Sequence, residues 1–343
     1  MTQLMMTRTP AAPHPATGSP VAALQALDLA PFRARAPWFG ADLQTLRNTL
    51  RRRPDQTAPG GYEVRLPLGD GDALIGHYHA GAEKPLVVLI HGLSGSAASD
   101  YVVTTTKVLM ALDYPVLRLD LRGAGASQRV SSGRYHAGRS EDLAAALRAL
   151  PARLSTRGLV LVGYSLGGNM LLKYLGEAAP AAEVLGAVSV SAPFDLAISS
   201  RRIREPRNWL YHRHLLTQIK AEALAPTAGL TPSERQAIAG CRSIYEFDEV
   251  FIAPRHGFAG ADDYHARCSA RPYAGGITLP TLVIHALDDP WIPRAAYDTV
   301  DWAAVPAARL VLTSSGGHVG FHDAASPIPW HDRAIAQFAG LFC

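Results

Sequence analysis

Hydrophobic and polar positions follow two alternating patterns from residue 62 onward. Short, continuous apolar runs are typical of buried strands, and the stretches between them carry apolar residues at helical spacing. The runs predict strands at residues 86–90, 115–120, 159–162, 186–190, 281–286 and 310–313. Continuous apolar strands that alternate with helices are typical of parallel sheets covered on both faces. The pattern therefore predicts an α/β fold with a mostly parallel central sheet and helices on both faces.

The N-terminal part of the chain follows other patterns. Residues 1–20 contain several prolines and show no periodicity, which predicts a disordered tail. Apolar residues at helical spacing begin at Val21, and the stretch that follows is interpreted as a helix that ends before Pro54. Two strands of alternating character then flank the turn residues 69–71, which predicts a hairpin.

One long block interrupts the alternation of strands and helices. About ninety residues separate the strands at 186–190 and 281–286, which is too long for a plain crossover. The block carries helical patterns and many aromatic residues. It predicts a helical cap at residues 194–275, inserted into a core that consists of residues 21–193 and 276–343.

Composition limits the possible functions. Of the 343 residues, 48% are hydrophobic and 18% are charged, which is sufficient for a large core. The net charge of +4 is too small to indicate nucleic-acid binding without a local basic stripe. Three cysteines, Cys241, Cys268 and Cys343, form no CxxC motif, which argues against a disulfide framework or a cysteine zinc site. This cysteine usage fits a reducing compartment.

Hydropathy gives no indication of a membrane span. No apolar run reaches the roughly 18 residues that a spanning helix needs. The first twenty residues lack the apolar region of a secretory signal, so we expect a cytoplasmic protein.

The sequence Gly-Tyr-Ser-Leu-Gly at residues 163–167 is the first candidate for chemistry. An apolar strand precedes it and a helical pattern follows it. A strand, a tight turn with serine at its apex and a helix together form the nucleophile elbow, so Ser165 is the predicted nucleophile. The alternative is a glycine-rich structural turn without a catalytic role.

A serine hydroxyl needs a base, and the base needs a carboxylate to orient it. His318 follows the last predicted strand and is the candidate base. The order Ser, Asp, His places the acid after the preceding strand, where Asp288 and Asp289 compete. We favour Asp289, because Pro293 completes a D-x-x-x-P pattern, and we interpret Asp288 as a turn or cap residue.

The oxyanion of an acyl-transfer intermediate needs hydrogen-bond donors. The backbone N–H of Leu166, directly after the nucleophile, is one predicted donor. The loop after strand 86–90 supplies the other, and we choose the N–H of Leu93. His91 in the same loop is interpreted as a scaffold residue rather than a base.

Other clusters do not predict a cofactor or a metal. His77 and His79 share one strand face without an evident third ligand. Asp248, Glu249 and His256 fit no strong metal template, so a structural polar network is favoured. The glycines at 123 and 125 lack the third glycine of a dinucleotide fingerprint.

Several segments together resemble the α/β-hydrolases of the YheT-like branch, whose eukaryotic relatives include abhydrolase-domain lipid esterases. The segments are HGLSGSAASDYV, DLRGAGASQRVSSGRYHAGRSEDL, GYSLGGNMLLKYLGE, VSAPFDLAISSRRI, YEFDEVFIAPRHGF, LPTLVIHALDDPWIP and TSSGGHVGF. The resemblance covers roughly residues 60–340. It implies an α/β-hydrolase fold, hydrolysis of carboxylic esters through an acyl-enzyme, no cofactor, and Ser165, Asp289 and His318 as the triad.

The predicted cap is the part that would decide the substrate. Its apolar candidates for an acyl-chain pocket are Trp209, Leu210, Tyr211, Leu215, Leu216 and Ile219, although core packing is the favoured interpretation. Its arginines could contact anionic headgroups at a membrane surface. Arg134, Tyr135 and His136 are interpreted as a tie between cap and core, with the pocket rim as the alternative.

The expected partner is a small acyl ester or a lipid, with possible peripheral membrane contact and no nucleic acid. A peptidase or thioesterase on the same triad stays open, because acyl transfer is common to all three. A non-catalytic protein that binds lipid or a partner on the same scaffold is the third alternative. The sequence predicts no oligomeric state.

Overall fold

A computed structural model describes residues 19–50, 60–225 and 229–343. Residues 1–18 of the predicted tail, and the predicted helix end at residues 51–54, lie outside the described residues. One eight-stranded sheet organises the described chain, in the order β1-β2-β4-β3-β5-β6-β7-β8. The strands are β1 Tyr62–Pro67, β2 Ala73–His79, β3 Leu86–Ile90, β4 Val116–Asp120, β5 Leu159–Tyr164, β6 Val184–Val190, β7 Thr281–Ala286 and β8 Ala308–Thr313.

Strand direction changes only at one side of the sheet. β2 pairs antiparallel with both β1 and β4, and β1 and β2 form the predicted hairpin. The strands from β4 through β3, β5, β6 and β7 to β8 are all parallel. The predicted α/β fold with a mostly parallel central sheet is therefore confirmed.

Helices cover both faces of this sheet. They are α1 Pro20–Gln25, α2 Ala41–Leu50, α3 Asp100–Ala111, α4 Ser140–Arg148, α5 Ala152–Ser155, α6 Leu166–Glu177, α7 Leu196–Ile203, α8 Trp209–Ala223, α9 Pro232–Gly240, α10 Ile244–Phe247, α11 Ala253–Arg255, α12 Ala261–Cys268 and α13 Trp330–Ala339. No helix among the described residues is long and apolar enough to cross a membrane.

The continuous apolar strands are explained by burial on both faces. In β3, Val88 belongs to a core cluster that includes residues of α4, α6 and α8, whereas Val87 belongs to a cluster with residues of α3 and α13. Successive side chains of a strand point to opposite faces, so every position of β3 is buried. This two-sided burial leaves the carboxyl ends of the parallel strands as the place where loops can form a site.

The N-terminal segment differs from the prediction. α1 begins at Pro20, with Ser19 as its N-cap, and α2 begins only at Ala41. Between the two helices the chain lies along the C-terminal part, where Arg35 donates its backbone N–H to the carbonyl of His322. Pro31 and Pro37 lack the N–H group that a continuous helix would need.

Between β6 and β7 the described residues form helices and no strand. α10 and α11 join through a π-helical segment, Asp248–Ile252, which makes one irregular helix of the three. Such single π turns occur frequently at functional sites. Phe247, Phe251 and Ile252 from this helix face the cavity described below.

Candidate functional site

Ser165 lies at the sharp turn between β5 and α6. Its backbone has φ 49° and ψ −122°, a conformation that non-glycine residues rarely adopt. The backbone N–H of Ser165 donates to the carbonyl of Val190, and the Ser165 carbonyl accepts the N–H of Asn169 in the first turn of α6. These bonds hold the strained serine at the carboxyl edge of the sheet, with its side chain above the helix N-terminus.

Gly167 allows the elbow to pack against β3. A Cβ atom at this position would lie 2.3 Å from the carbonyl oxygen of His91 and 2.7 Å from that of Ile90. Both obstacles are backbone atoms, which cannot move aside without shifting a central strand. The turn therefore requires glycine here for space as well as for tightness.

We expect Gly167→Ala to lower the free energy of unfolding by about 3 kcal/mol, because the added methyl group overpacks a rigid site. Gly240→Ala is the matched control, since no atom lies within 4 Å of a Cβ built at that exposed helix end. We expect this control to change the free energy by less than about 1 kcal/mol. Urea denaturation of both variants measures the difference, and equal values would contradict the steric argument.

His318 connects Ser165 with Asp289. Its Nε2 atom lies 2.9 Å from Ser165 Oγ, and its Nδ1 atom lies 2.8 Å from Asp289 Oδ2. A carboxylate oxygen accepts, so Nδ1 carries the proton and Nε2 is free to accept the serine hydroxyl proton. The histidine is 7% exposed and the aspartate 3% exposed. The structure thus brings the three predicted catalytic residues together in one hydrogen-bonded chain.

The two neighbouring aspartates have separate partners. Burial alone would raise the pKa of Asp289, but attraction to the protonated form of His318 and the hydrogen bond from its ring hold that pKa below its usual value. The backbone N–H groups of Trp291 and Ile292 also donate to Asp289. Asp288 instead accepts the N–H of Gly317, and burial raises its pKa. Asp288 therefore ties two loops together.

The loop after β3 lies directly against the serine. A Cβ built at Gly92 would be 2.9 Å from Ser165 Cβ. Among the described residues, no protein acceptor pairs with the backbone N–H of Leu93 or of Leu166. His91 is buried, donates from Nδ1 to the Gly92 carbonyl, and accepts the N–H of Leu121 at Nε2. His91 is thus held within the loop backbone and away from the serine.

A cavity of about 910 Å³ opens beside Ser165. Its walls come from the loop after β3, from α2, and from the helices between β6 and β7. Leu215, Leu216 and Ile219 of α8 are buried, and Leu215 and Ile219 line this cavity. Leu210 and Tyr211 also line the cavity, although Leu210 is largely exposed, whereas Trp209 is exposed and lies outside the cavity wall.

Tyr135 and Glu222 connect the loop after β3 with α8. The Tyr135 hydroxyl accepts the backbone N–H of Ser94 and donates to Glu222 Oε2. Burial raises the pKa of Glu222 to about 7, against the opposing effects of Arg134 and of the Tyr135 hydroxyl. The ring of His136 packs against the ring of His256, with the two ring centroids 4.5 Å apart. Residues 134–136 therefore contact the helices between β6 and β7, and they also line the cavity, so both interpretations of this segment describe it.

The residues of the remaining predicted clusters pair with partners outside those clusters. His77 Nε2 lies 3.0 Å from Asp120 Oδ2, and His265 Nε2 lies 2.9 Å from Asp248 Oδ2. Glu249 accepts the backbone N–H of Ala261. Over the part of the chain that the structure describes, no three histidine, cysteine or acidic residues are grouped in a way that could hold a metal ion.

Sequence reasoning missed the contribution of α2 to the histidine loop. The hydroxyl of Thr45 accepts the backbone N–H of His318, and Gln44 accepts the N–H of His322. Gln44 is fully buried, but its partner lies 278 positions away along the chain, so the sequence offered no signal for this contact. Trp291, stacked on His318, was also missed, although it stands two residues after the favoured acid.

Comparisons with known proteins identify the family of the chain. The family model described as alpha/beta hydrolase fold matches residues 85–325. A protein of Escherichia coli (strain K12) named "Putative esterase YheT" is 36% identical over 286 residues, with 81% of this chain and 83% of that protein covered. Human phospholipase ABHD3 is 25% identical over 313 residues, which cover 88% of this chain and 76% of that protein.

A solved structure has the same fold. The Pyrococcus furiosus esterase Pf2001 superimposes with a TM-score of 0.56 at 18% identity, over 90% of this chain and 96% of that chain. The family model spans most of the chain, and the identity to the Escherichia coli protein extends over most of both proteins. The chain therefore belongs to the α/β-hydrolase family, in its YheT-like branch.

Proposed function

We propose that the protein is a serine hydrolase that cleaves carboxylic esters through an acyl-enzyme intermediate. The observation that carries this proposal is the hydrogen-bonded chain from Ser165 through His318 to Asp289. Ser165, at one end of this chain, lies at the wall of a large cavity. The relatives include proteins named as an esterase, a phospholipase and a monoacylglycerol lipase, which supports the same proposal.

Acylation begins when His318 Nε2 takes the hydroxyl proton of Ser165. The serine oxygen attacks the carbonyl carbon of the ester and forms a tetrahedral intermediate. The imidazolium, oriented by Asp289, then gives this proton to the alkoxy oxygen of the leaving group. The carbon–oxygen bond breaks, the alcohol departs, and the acyl group stays on Ser165.

The oxyanion of the intermediate would lie between the backbone N–H groups of Leu93 and Leu166. Neither N–H group pairs with a protein acceptor among the residues that the structure describes, and the second stands at the N-terminus of α6, where the helix dipole favours negative charge. Deacylation repeats the sequence, with water in place of the serine. His318 takes a proton from the water, whose oxygen attacks the acyl carbon. The bond between this carbon and Ser165 Oγ then breaks, His318 returns the proton to Oγ, and the carboxylic acid product leaves.

We further propose that residues 194–275 act as a cap that determines the acyl group. Helix α8 contributes Leu215 and Ile219 to the cavity, and the irregular helix contributes Phe247, Phe251 and Ile252. These apolar side chains suit a hydrocarbon chain. The volume of about 910 Å³ exceeds what an acetyl group requires, so a medium-length or longer acyl chain is the better fit.

We expect kcat/KM for p-nitrophenyl esters to rise from acetate to at least octanoate. Each additional buried methylene contributes about 0.8 kcal/mol, which corresponds to roughly fourfold in rate. Steady-state rates over the ester series measure how kcat/KM changes with each added methylene. A preference for acetate would contradict the proposed acyl pocket, and hydrolysis of peptide amides in preference to esters would contradict the proposed bond type.

A variant pair localises the acyl pocket. Ile219→Trp adds volume to the cavity wall and should shift the optimum toward shorter chains. Val250→Trp is its control, because Val250 is exposed and is not part of the wall. The chain-length profile of the control should match that of the wild type.

A further inference from the structure

The indole of Trp291 stacks on the imidazole of His318. The ring centroids are 4.2 Å apart and the ring planes make an angle of 29°. The same short loop fixes both the acid and this ring, since the backbone N–H of Trp291 donates to Asp289 Oδ1. Any movement of the acid therefore moves the indole with it.

A second aromatic ring holds Trp291 from the cap. Tyr211 of α8 meets the indole edge-on, with ring centroids 5.4 Å apart. The Tyr211 hydroxyl donates to Asp42 of α2 at 2.9 Å. The start of α8 also contacts the acid loop directly, because the Asn208 amide donates to the carbonyl of Pro290 at 2.8 Å. The indole is thus held between the catalytic histidine and the cap.

Trp291 is half-buried and forms part of the cavity wall, and apolar packing alone does not account for a tryptophan at this position. Buried tryptophans usually find an acceptor for the indole N–H, because an unpaired donor costs free energy. The Nε1 atom of Trp291 is buried and has no such acceptor among the described residues. A phenylalanine would fill much of the space without that cost. The property that an indole adds is a large, electron-rich face, and this face is turned toward His318.

An electron-rich face opposite the histidine has two effects on the proposed reaction. Stacking keeps the imidazole plane directed at both Ser165 and Asp289, so that proton transfer does not wait for a ring rotation. The face of an indole also attracts a flat cation. The imidazolium that forms while His318 holds the serine proton is such a cation.

We propose that Trp291 is a positioning residue that acts through His318, by holding the imidazole in line with Ser165 and stabilising the imidazolium formed during acyl transfer. This inference rests on the proposed serine-hydrolase function. It assigns to Trp291 a role in every turnover, whatever acyl group is bound. A residue that served only as cavity wall would instead affect substrates according to their chain length.

The test compares Trp291→Leu and Trp291→Phe on p-nitrophenyl acetate and octanoate. Trp291→Leu should lower kcat about 10- to 100-fold by the same factor for both esters, since its effect is on the histidine. Trp291→Phe retains an aromatic face and should recover kcat to within roughly fivefold of the wild type. The low-field proton resonance of the His318–Asp289 hydrogen bond should be sharp in the wild type and in Trp291→Phe, and broadened in Trp291→Leu.

Trp209→Leu is the matched control. Trp209 is 55% exposed at the start of α8, and it lies outside the cavity wall. Its replacement should leave kcat and the low-field resonance unchanged. Thermal unfolding of each variant verifies that the fold is retained.

Three results are distinguishable: failure of the inference alone, failure of the proposed function, and support for the inference. Wild-type kcat in Trp291→Leu, or a loss confined to octanoate, overturns the inference while the proposed function stands. Wild-type protein without Ser165-dependent hydrolysis overturns the proposed function, and the inference falls with it. An equal loss for both esters, with recovery in Trp291→Phe, supports the positioning role.

Discussion

Replacing Ser165 by alanine is expected to lower kcat/KM for carboxylic esters by about 10⁴-fold or more. The hydroxyl is the nucleophile of the proposed reaction, and the residual rate would come only from substrate binding and the oxyanion donors. The change removes a single oxygen atom, whose hydrogen-bond partner within the described part of the chain is His318 Nε2 at 2.9 Å. The fold should therefore persist, which thermal unfolding and circular dichroism can verify.

A neighbouring serine provides the matched control for this variant. Ser94 lies in the loop after β3, and its buried hydroxyl has no hydrogen-bond partner in the part of the chain that the structure describes. Ser94→Ala removes the same atom type beside the same cavity and should leave the rate within a few-fold of the wild type. A comparable loss in both variants would mean that Ser165 acts through the shape of the cavity rather than as nucleophile.

Asp289→Asn is expected to lower kcat about 10³- to 10⁴-fold. Asp289 Oδ2 accepts the His318 Nδ1 proton, and an amide can present an N–H there instead. The imidazole would then place its proton on Nε2, which points at Ser165, and could no longer accept the serine proton. The asparagine also lacks the negative charge that stabilises the imidazolium.

Asp288→Asn is the control that the sequence itself supplies. Asp288 accepts the backbone N–H of Gly317 through one oxygen, and an asparagine carbonyl can accept the same bond. We expect a loss of less than about tenfold from this variant. A larger loss at Asp288 than at Asp289 would reverse the assignment of the acid. Parallel measurement of kcat for both variants decides between the two aspartates.

The order of strands and helices could be predicted because burial on both faces leaves a strong pattern. β3 and β5 are buried at every position, and such strands cannot be mistaken for solvent-exposed segments. The candidate nucleophile, base and acid could be predicted for a related reason. Parallel strands place their carboxyl ends at one edge, so the loops after β5, β7 and β8 must meet.

The N-terminal segment and the supports of the site could not be predicted in the same way. The helix expected before residue 54 is limited by proline, and the contacts of Thr45 and Gln44 with the histidine loop connect residues more than 270 positions apart. Periodicity describes neighbours within one element and carries no information on such contacts. Trp291 was missed because stacking on His318 depends on the orientation of two loops.

The central claim is that Ser165 forms an acyl-enzyme. The most direct measurement is peptide mass spectrometry after rapid acid quench of the protein during turnover of a p-nitrophenyl ester. The proposal predicts a mass increase equal to the acyl group on the peptide that contains Ser165, and its absence in Ser165→Ala. Ester hydrolysis that continues in Ser165→Ala, with no acylated peptide in the wild type, would contradict it.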